Sequence, residues 1–357
     1  MPRGVRRGTA SRQSKTQTGA TTGGALTSRG GCDLKLVRRR FLQLAVASAA
    51  SASSGVAPAQ TYPARPVHIV SGFPPGGIND TYARLIAQWL TQRLGQSFVV
   101  ENRPGAGGNI AAESVVRAAP DGYSLLLTTS ADTWNATLYD SLKFNFPRDV
   151  AAVAAIARSA GILVVNPSFP SRSVSELIDY AKANPRKATV GSAGVGSAPH
   201  MFWELFRSLT GIEMLHVPYR GGGPAVVDLL AGQIEVYFGT PASTLEHVRA
   251  GRLRALAVGG SARLTALPEI PTLAEFVPGY EASIFVGIAA PRGTSSAIVD
   301  ELNRQINLAL TDSRVLQSIT ALGDTPLSLS PAEFGRLIVD EAGKWAKVVR
   351  TANIRAE

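Results

Sequence analysis

Three features of the chain predict an α/β protein. Short apolar runs alternate with segments of helical length, glycine-rich loops follow several of those runs, and two long amphipathic stretches close the sequence. Alternation of this kind specifies sheets in which parallel pairing dominates. The chain has 357 residues, 45% of them apolar, enough for two domains with cores of their own.

Residues 67–70 form the first strand and residues 81–94 the first helix. Between them lies Phe73-Pro74-Pro75-Gly76-Gly77-Ile78-Asn79-Asp80. Gly76 and Gly77 lack a Cβ, so backbone can approach a ligand there. The first N–H groups of the helix have no intrahelical partner and its dipole favours negative charge. Asn79 or Asp80 can cap it. An ordinary tight strand-to-helix turn accounts for this stretch equally well when it is taken alone, but the construction recurs along the chain.

A second strand, 98–101, opens into Asn102-Arg103-Pro104-Gly105-Ala106-Gly107-Gly108-Asn109 and a helix over 110–118. The third, 123–127, ends in Thr128-Thr129-Ser130. Residues 162–165 read as a strand and 174–183 as a helix with Ser173 as cap. A strand at 188–190 opens into the loop from Gly191 to His200, which carries Ser192, Gly194 and Ser197, and a helix runs on through 209. Residues 215–218 precede Tyr219-Arg220-Gly221-Gly222-Gly223-Pro224 and a helix over 225–230. The strand at 234–238 ends in Gly239-Thr240; further strands lie at 253–258 and 284–289. Amphipathic helices at 297–309 and 331–351 finish the chain.

The formal net charge of +10 suggests nucleic acid until it is located. Residues 1–59 hold ten Lys or Arg and one acid, Asp33, so the remainder carries only +1. A basic leader on a neutral body reads as a targeting segment. Arg38-Arg39-Arg40-Phe41-Leu42-Gln43 resembles the twin-arginine export motif, and an apolar run over 42–50 follows it. Ala57-Pro58-Ala59 has the small-x-small form of a cleavage site, which starts the mature chain at Gln60. A general secretory signal with a basic start is the alternative. The run is too short to span a bilayer. The one cysteine, Cys32, lies upstream of it, so the mature part offers no thiolate nucleophile or metal ligand.

Every glycine loop follows a strand, and the carboxyl edge of an open α/β sheet is where ligands bind. Two lobes presenting that edge would form a cleft. The loops supply hydroxyls and backbone N–H groups and few charges, which suits a carboxylate held by neutral donors. Enzyme readings find less support. No loop carries the Gly-Lys-Ser/Thr of a phosphate-binding loop, and no Gly-x-Ser-x-Gly elbow is present. His68, His200, His216 and His247 have no metal-ligand spacing. Ser192 and Ser197 lack an evident base. His68 and His216 read as structural, whereas His200, at a helix start, faces either the cleft or the protein.

The Phe73–Asp80 loop with Ala83-Arg84, the run Val100-Glu101-Asn102-Arg103-Pro104-Gly105-Ala106-Gly107-Gly108-Asn109-Ile110, Ser192-Ala193-Gly194 with His200, and Val217-Pro218-Tyr219-Arg220-Gly221-Gly222-Gly223-Pro224-Ala225 occur in one order. Together they resemble the periplasmic receptors of tripartite tricarboxylate transporters, the Bug family, over nearly all the chain from Tyr62. The resemblance implies a two-lobed, type II periplasmic binding protein fold with an interlobe cleft for a small organic acid. Residues 60–160 and 285–357 would then form one discontinuous lobe and residues 161–284 the other. The resemblance places Phe73, Gly76, Gly77 and Asp80 on one side of a ligand carboxylate and Ser192, Gly194, Ser197 and His200 on the other. Thr129, Ser130, Tyr219, Gly239 and Thr240 would line the far end. Family members often carry Asp where this chain has Gly239, which tilts the reading away from amino acids and toward a plain carboxylate, an aromatic acid or an amide. Arg84, Arg103 and Glu101 are expected in ion pairs within a lobe.

The expected protein is therefore a monomeric, exported receptor with no catalytic role, cofactor, metal or nucleic-acid partner. It would hand its ligand to membrane transporter subunits or, alternatively, report to a sensor kinase.

Overall fold

The computed structural model describes residues 62–75, 78–139 and 141–356. The leader, the export motif and the cleavage site, like Gly76 and Gly77, lie outside the described residues.

The chain opens with β1 (Val67–Ser71), α1 (Ile78–Leu94), β2 (Phe98–Asn102), α2 (Asn109–Val116) and β3 (Ser124–Thr129). Tyr82, Ala83, Ile86 and Leu90 recur at helical spacing and form the buried face of α1. That face joins Val67, Ile69 and Leu125 in one core. β1 is flanked by β2 and β3, both parallel to it. α3 (Ser130–Leu138) follows β3 without a gap, although no helix is expected there. Its start is written locally: Thr129 and Asp132 form a capping box.

After α4 (Phe146–Asp149) comes β4 (Val150–Ala160). The sequence reading has no strand here, because a run of six alanines in eleven residues favours helix. Tertiary pairing overrides the propensity, since β4 lies between β10 (Ser283–Pro291) and β11 (Thr325–Pro326). The first sheet runs β11-β4-β10-β3-β1-β2.

The second sheet runs β7-β6-β8-β5-β9. It is built from β5 (Ile162–Val165), α5 (Val174–Ala183), β6 (Thr189–Ser192), α6 (Ala198–Thr210), β7 (Leu215–Pro218), α7 (Gly222–Leu230), β8 (Val236–Gly239), α8 (Pro241–Arg249) and β9 (Arg254–Val258). Three helices, α9 (Ser296–Ala309), α10 (Ser313–Ala321) and α11 (Pro331–Thr351), finish the chain. Both sheets are mixed. β6, β7 and β8 are parallel neighbours, but β5 is antiparallel to β8 and β9, and β10 is antiparallel to β3 and β4. A strand that arrives from the other sheet enters from the opposite end, so it runs against its neighbours.

The crossing is narrow. Gly161 alone separates β4 from β5, and its N–H donates to the Ala282 carbonyl at 2.9 Å. Gly259 donates to Gly161 at 2.7 Å and Ala282 to Gly259 at 2.7 Å. A Cβ on Gly259 would sit 2.8 Å from the Ala282 oxygen, so the three segments approach more closely than side chains permit. α11 is held near this crossing by Trp345, whose ring meets Trp134 of α3 edge-on at 5.2 Å. Its indole N–H donates to Glu341 at 2.6 Å.

Candidate functional site

A cleft of about 680 Å³ opens where the loops of both sheets meet. Five helices begin at its wall. Ile78 and Asn79 start α1; Thr129 and Ala131 belong to the start of α3; Ser197, Ala198 and Pro199 start α6; Gly221 and Gly222 start α7; Thr240 and Ser243 belong to the start of α8. Among the described residues, no Asp, Glu, Lys, Arg or His lines this wall. Positive potential there comes from backbone N–H groups and helix dipoles.

The helix starts differ in how their N–H groups are used. Thr129 caps α3 by accepting from Ala131 N–H, and Asp132 accepts from Thr129 N–H at 2.9 Å and from the Thr128 hydroxyl at 2.8 Å. Burial pushes the Asp132 carboxyl up to about 6. Asp80 supplies a carboxylate to the first turn of α1. α6, α7 and α8 have no acid in the first turn and no side-chain cap. Ser197, the residue before α6, instead donates its hydroxyl to the Gly194 carbonyl at 2.6 Å.

Of the expected contacts, Phe73, Thr129, Ser197 and Thr240 line the cleft. Gly76 and Gly77 are outside the described residues. The others do not line it; Asp80, Ser130, Ser192, His200 and Gly239 are buried. Asp80 is buried, accepting from Asn102 Nδ2 at 3.0 Å and from Arg84 Nε at 2.9 Å. Asn102 Nδ2 also donates to the Phe73 carbonyl at 3.0 Å, so Asp80 braces the first glycine loop. Ser130 accepts from Phe285 N–H at 2.9 Å and fixes α3 to β10. The Tyr219 hydroxyl donates to Asp228 at 2.7 Å, while Tyr219 N–H donates to the Ser192 carbonyl at 3.0 Å. Gly239 is buried in β8. Gly194, at φ 116°, turns the loop and accepts from Ser197.

His200 turns toward the protein. Its Nδ1 accepts from Gly196 N–H at 3.1 Å, its Nε2 lies 3.5 Å from Glu204, and its ring stacks on His216 at 4.3 Å. His216 Nε2 lies 2.7 Å from Ser192 Oγ, so Ser192 does have an imidazole neighbour, contrary to the expectation from sequence. Two residues 24 positions apart give no local signal of such a contact. Ser192 is fully buried, out of reach of a substrate, and burial drives His216 down to about 4. The pair supports the loop. Arg84 with Asp80 and Arg103 with Glu101 (2.7 Å) are ion pairs within the first sheet's half. The Arg103 guanidinium, helped by His68, holds the Glu101 carboxyl low. Among the described residues no cluster of His, Cys, Asp or Glu is placed to hold a metal ion.

Sequence reasoning missed much of the wall: Trp134, Asn135 and Leu138 of α3, Tyr139 directly after it, and Tyr237 of β8. Trp134 is the most informative. Its indole N–H donates to the Gly196 carbonyl at 2.9 Å, tying a helix of the first sheet to a loop of the second. Gly196 has φ 76°, and a Cβ on it would lie 2.3 Å from Leu138 Cδ2, so loop and helix are in close contact. The Thr129–Asp132 spacing was the one sequence signal for α3.

Two lobes joined by paired strands, with loops of both enclosing a cleft, define a binding protein. The family described as the tripartite tricarboxylate transporter family receptor matches residues 82–354, and the chain belongs to this family of periplasmic solute-binding receptors. It is similar to Protein BugT of Bordetella pertussis, with 40% identity over 313 residues, 86% of this chain and 96% of that one. Among solved structures it resembles R. palustris Rpa4515 with adipate, with 36% identity and a TM-score of 0.75, covering 82% of this chain and 99% of that one. It also resembles the periplasmic binding protein BugD, with 30% identity and a TM-score of 0.72, covering 83% and 100%.

Proposed function

We propose that this receptor captures a small carboxylate-bearing organic acid in the cleft and delivers it to the membrane subunits of a tripartite transporter. The observation that carries the reading is the set of helix starts, three of them with neither an acid in the first turn nor a side-chain cap, around a cleft with no charged side chain among its described lining residues. Such a wall attracts an anion and offers an ammonium group no carboxylate partner. Rpa4515, a relative with the same architecture, has been solved with adipate.

In this reading Phe73, Gly76, Gly77, Thr129, Ser197 and Thr240 touch the ligand. Asp80, Ser130, Ser192, Gly194, His200, Tyr219 and Gly239 hold those loops in place. Residues 60–160 with 285–357 form one lobe and residues 161–284 the other, closing about Gly161 and Gly259. Export follows the signal in residues 1–59, with cleavage after Ala59. A thermal-shift screen of organic acids tests the central claim, because a ligand at 100 times its dissociation constant adds about 2.7 kcal/mol. Amino acids that stabilise the protein while plain carboxylates do not would refute it.

A further inference from the structure

Tyr237 lies in β8, between Val236 and Phe238. Strand alternation sends Phe238 to one face, where it packs on Phe206 at 5.3 Å and Trp203 at 6.0 Å. Tyr237 takes the other face, in a core with Ala225, Leu229 and Leu245 of α7 and α8. It is 1% exposed, yet its remaining surface belongs to the cleft wall.

Three glycines make room for it. A Cβ on Gly239 would lie 2.7 Å from the Tyr237 ring, one on Gly191 3.6 Å from the ring, and one on Gly222 3.1 Å from the hydroxyl oxygen. A side chain at 239 and the tyrosine at 237 therefore compete for one volume. The hydroxyl sits beside Gly222, at the start of α7, and near Ser243 of α8. Burial pushes the phenol up to about 12, so it stays a neutral hydrogen-bond donor.

We propose that Tyr237 determines ligand selection: its ring closes the second-sheet end of the cleft and limits ligand length, and its hydroxyl donates to a ligand oxygen at the uncapped starts of α7 and α8. The inference rests on the carboxylate reading above. It adds the class of acid selected, a short acid that ends at this tyrosine and carries no ammonium group.

The test titrates the mature protein calorimetrically with succinate, adipate, suberate and benzoate, in the parent, Tyr237→Phe and Tyr237→Ala forms. Tyr237→Phe keeps the ring and loses one charge-assisted hydrogen bond, so affinity for the best acid falls about tenfold with the ranking unchanged. Tyr237→Ala opens the end and shifts the ranking toward suberate about tenfold or more. Melting curves without ligand accompany each titration; should Tyr237→Ala not fold, the Tyr237→Phe result decides. A parent that binds these acids alongside variants of unchanged affinity and ranking overturns the role of Tyr237 alone. A parent that binds none of them overturns the carboxylate reading and this inference together.

Discussion

The two sheets contribute helix starts to the same cleft but treat them differently. In the first sheet the dipoles are already answered: Asp80 stands in the first turn of α1, and Thr129 and Asp132 close a capping box on α3. In the second sheet α6, α7 and α8 begin without an acid in the first turn and without a side-chain cap. Unanswered N–H groups are costly when buried and empty. Under the proposed carboxylate reading, the half that leaves them open supplies most of the N–H groups for a negative guest, while the first-sheet half adds contacts from helices that are already capped or acid-bearing.

The most direct way to break this contrast is to answer a second-sheet dipole. Ser197→Asp places a carboxylate before α6. It should cap the helix and raise the melting temperature by the equivalent of about 1 kcal/mol. It should also repel a ligand carboxylate and occupy its donors, lowering affinity about a hundredfold or more. Calorimetry beside a melting curve would show the two effects moving in opposite directions; a variant that binds as tightly as the parent would place the anion elsewhere.

The next test sharpens the stability side. Asp324 is buried in the first-sheet half, accepts from the Tyr82 hydroxyl at 2.7 Å, and is pushed up by burial to about 6. Its unfolded value is about 3.9. The folded state therefore holds this proton more tightly. The resulting stability is present below the unfolded value and is lost as pH rises through about 6. Asp324→Asn removes the penalty, so it should stabilise the protein by roughly 2–3 kcal/mol at pH 8 and by little at pH 4. Denaturant unfolding at the two pH values measures this. A gain independent of pH would show that ionisation is not the cause.

The smallest effects separate capping from contact. Thr129→Ala should cost about 1 kcal/mol of stability through the lost cap and, because Thr129 also lines the cleft, lower affinity about fivefold. Trp134→Phe keeps an aromatic ring, though a smaller one, and removes the bond to Gly196, so it should weaken binding by about 1 kcal/mol, near fivefold, with the fold retained. Equal affinity in parent and Trp134→Phe would mean that this bond does not hold the Ser197 loop for the ligand.

Much of this arrangement was legible from local pattern. β-branched runs such as Val67–Ser71 and the glycine loops after them mark strand ends directly, so the architecture and the carboxyl-edge cleft follow from sequence. β4 was not legible, because its alanines favour helix and only pairing with β10 and β11 makes it a strand. The wall formed by α3 was also hidden. Whether Trp134 faces solvent or the Gly196 carbonyl depends on how a helix of one sheet meets a loop of the other, and no spacing along the chain encodes that. Ser192 and His200 were expected as contacts from the family resemblance. Their neighbours Gly196, His216 and Glu204 are what turn them inward.

A cleft whose described wall draws its positive potential from backbone amides has a particular capacity for change. Every sequence that keeps these helices keeps that field, whatever side chains stand around it. Under the proposed reading, substitutions at positions such as Leu138, Tyr139 or Val195 can then reshape the apolar volume without removing the grip on the anion. Affinity and preference become separable traits: helix placement maintains one, while a few wall residues explore the other. A receptor built this way can drift from one organic acid to another through intermediates that still bind.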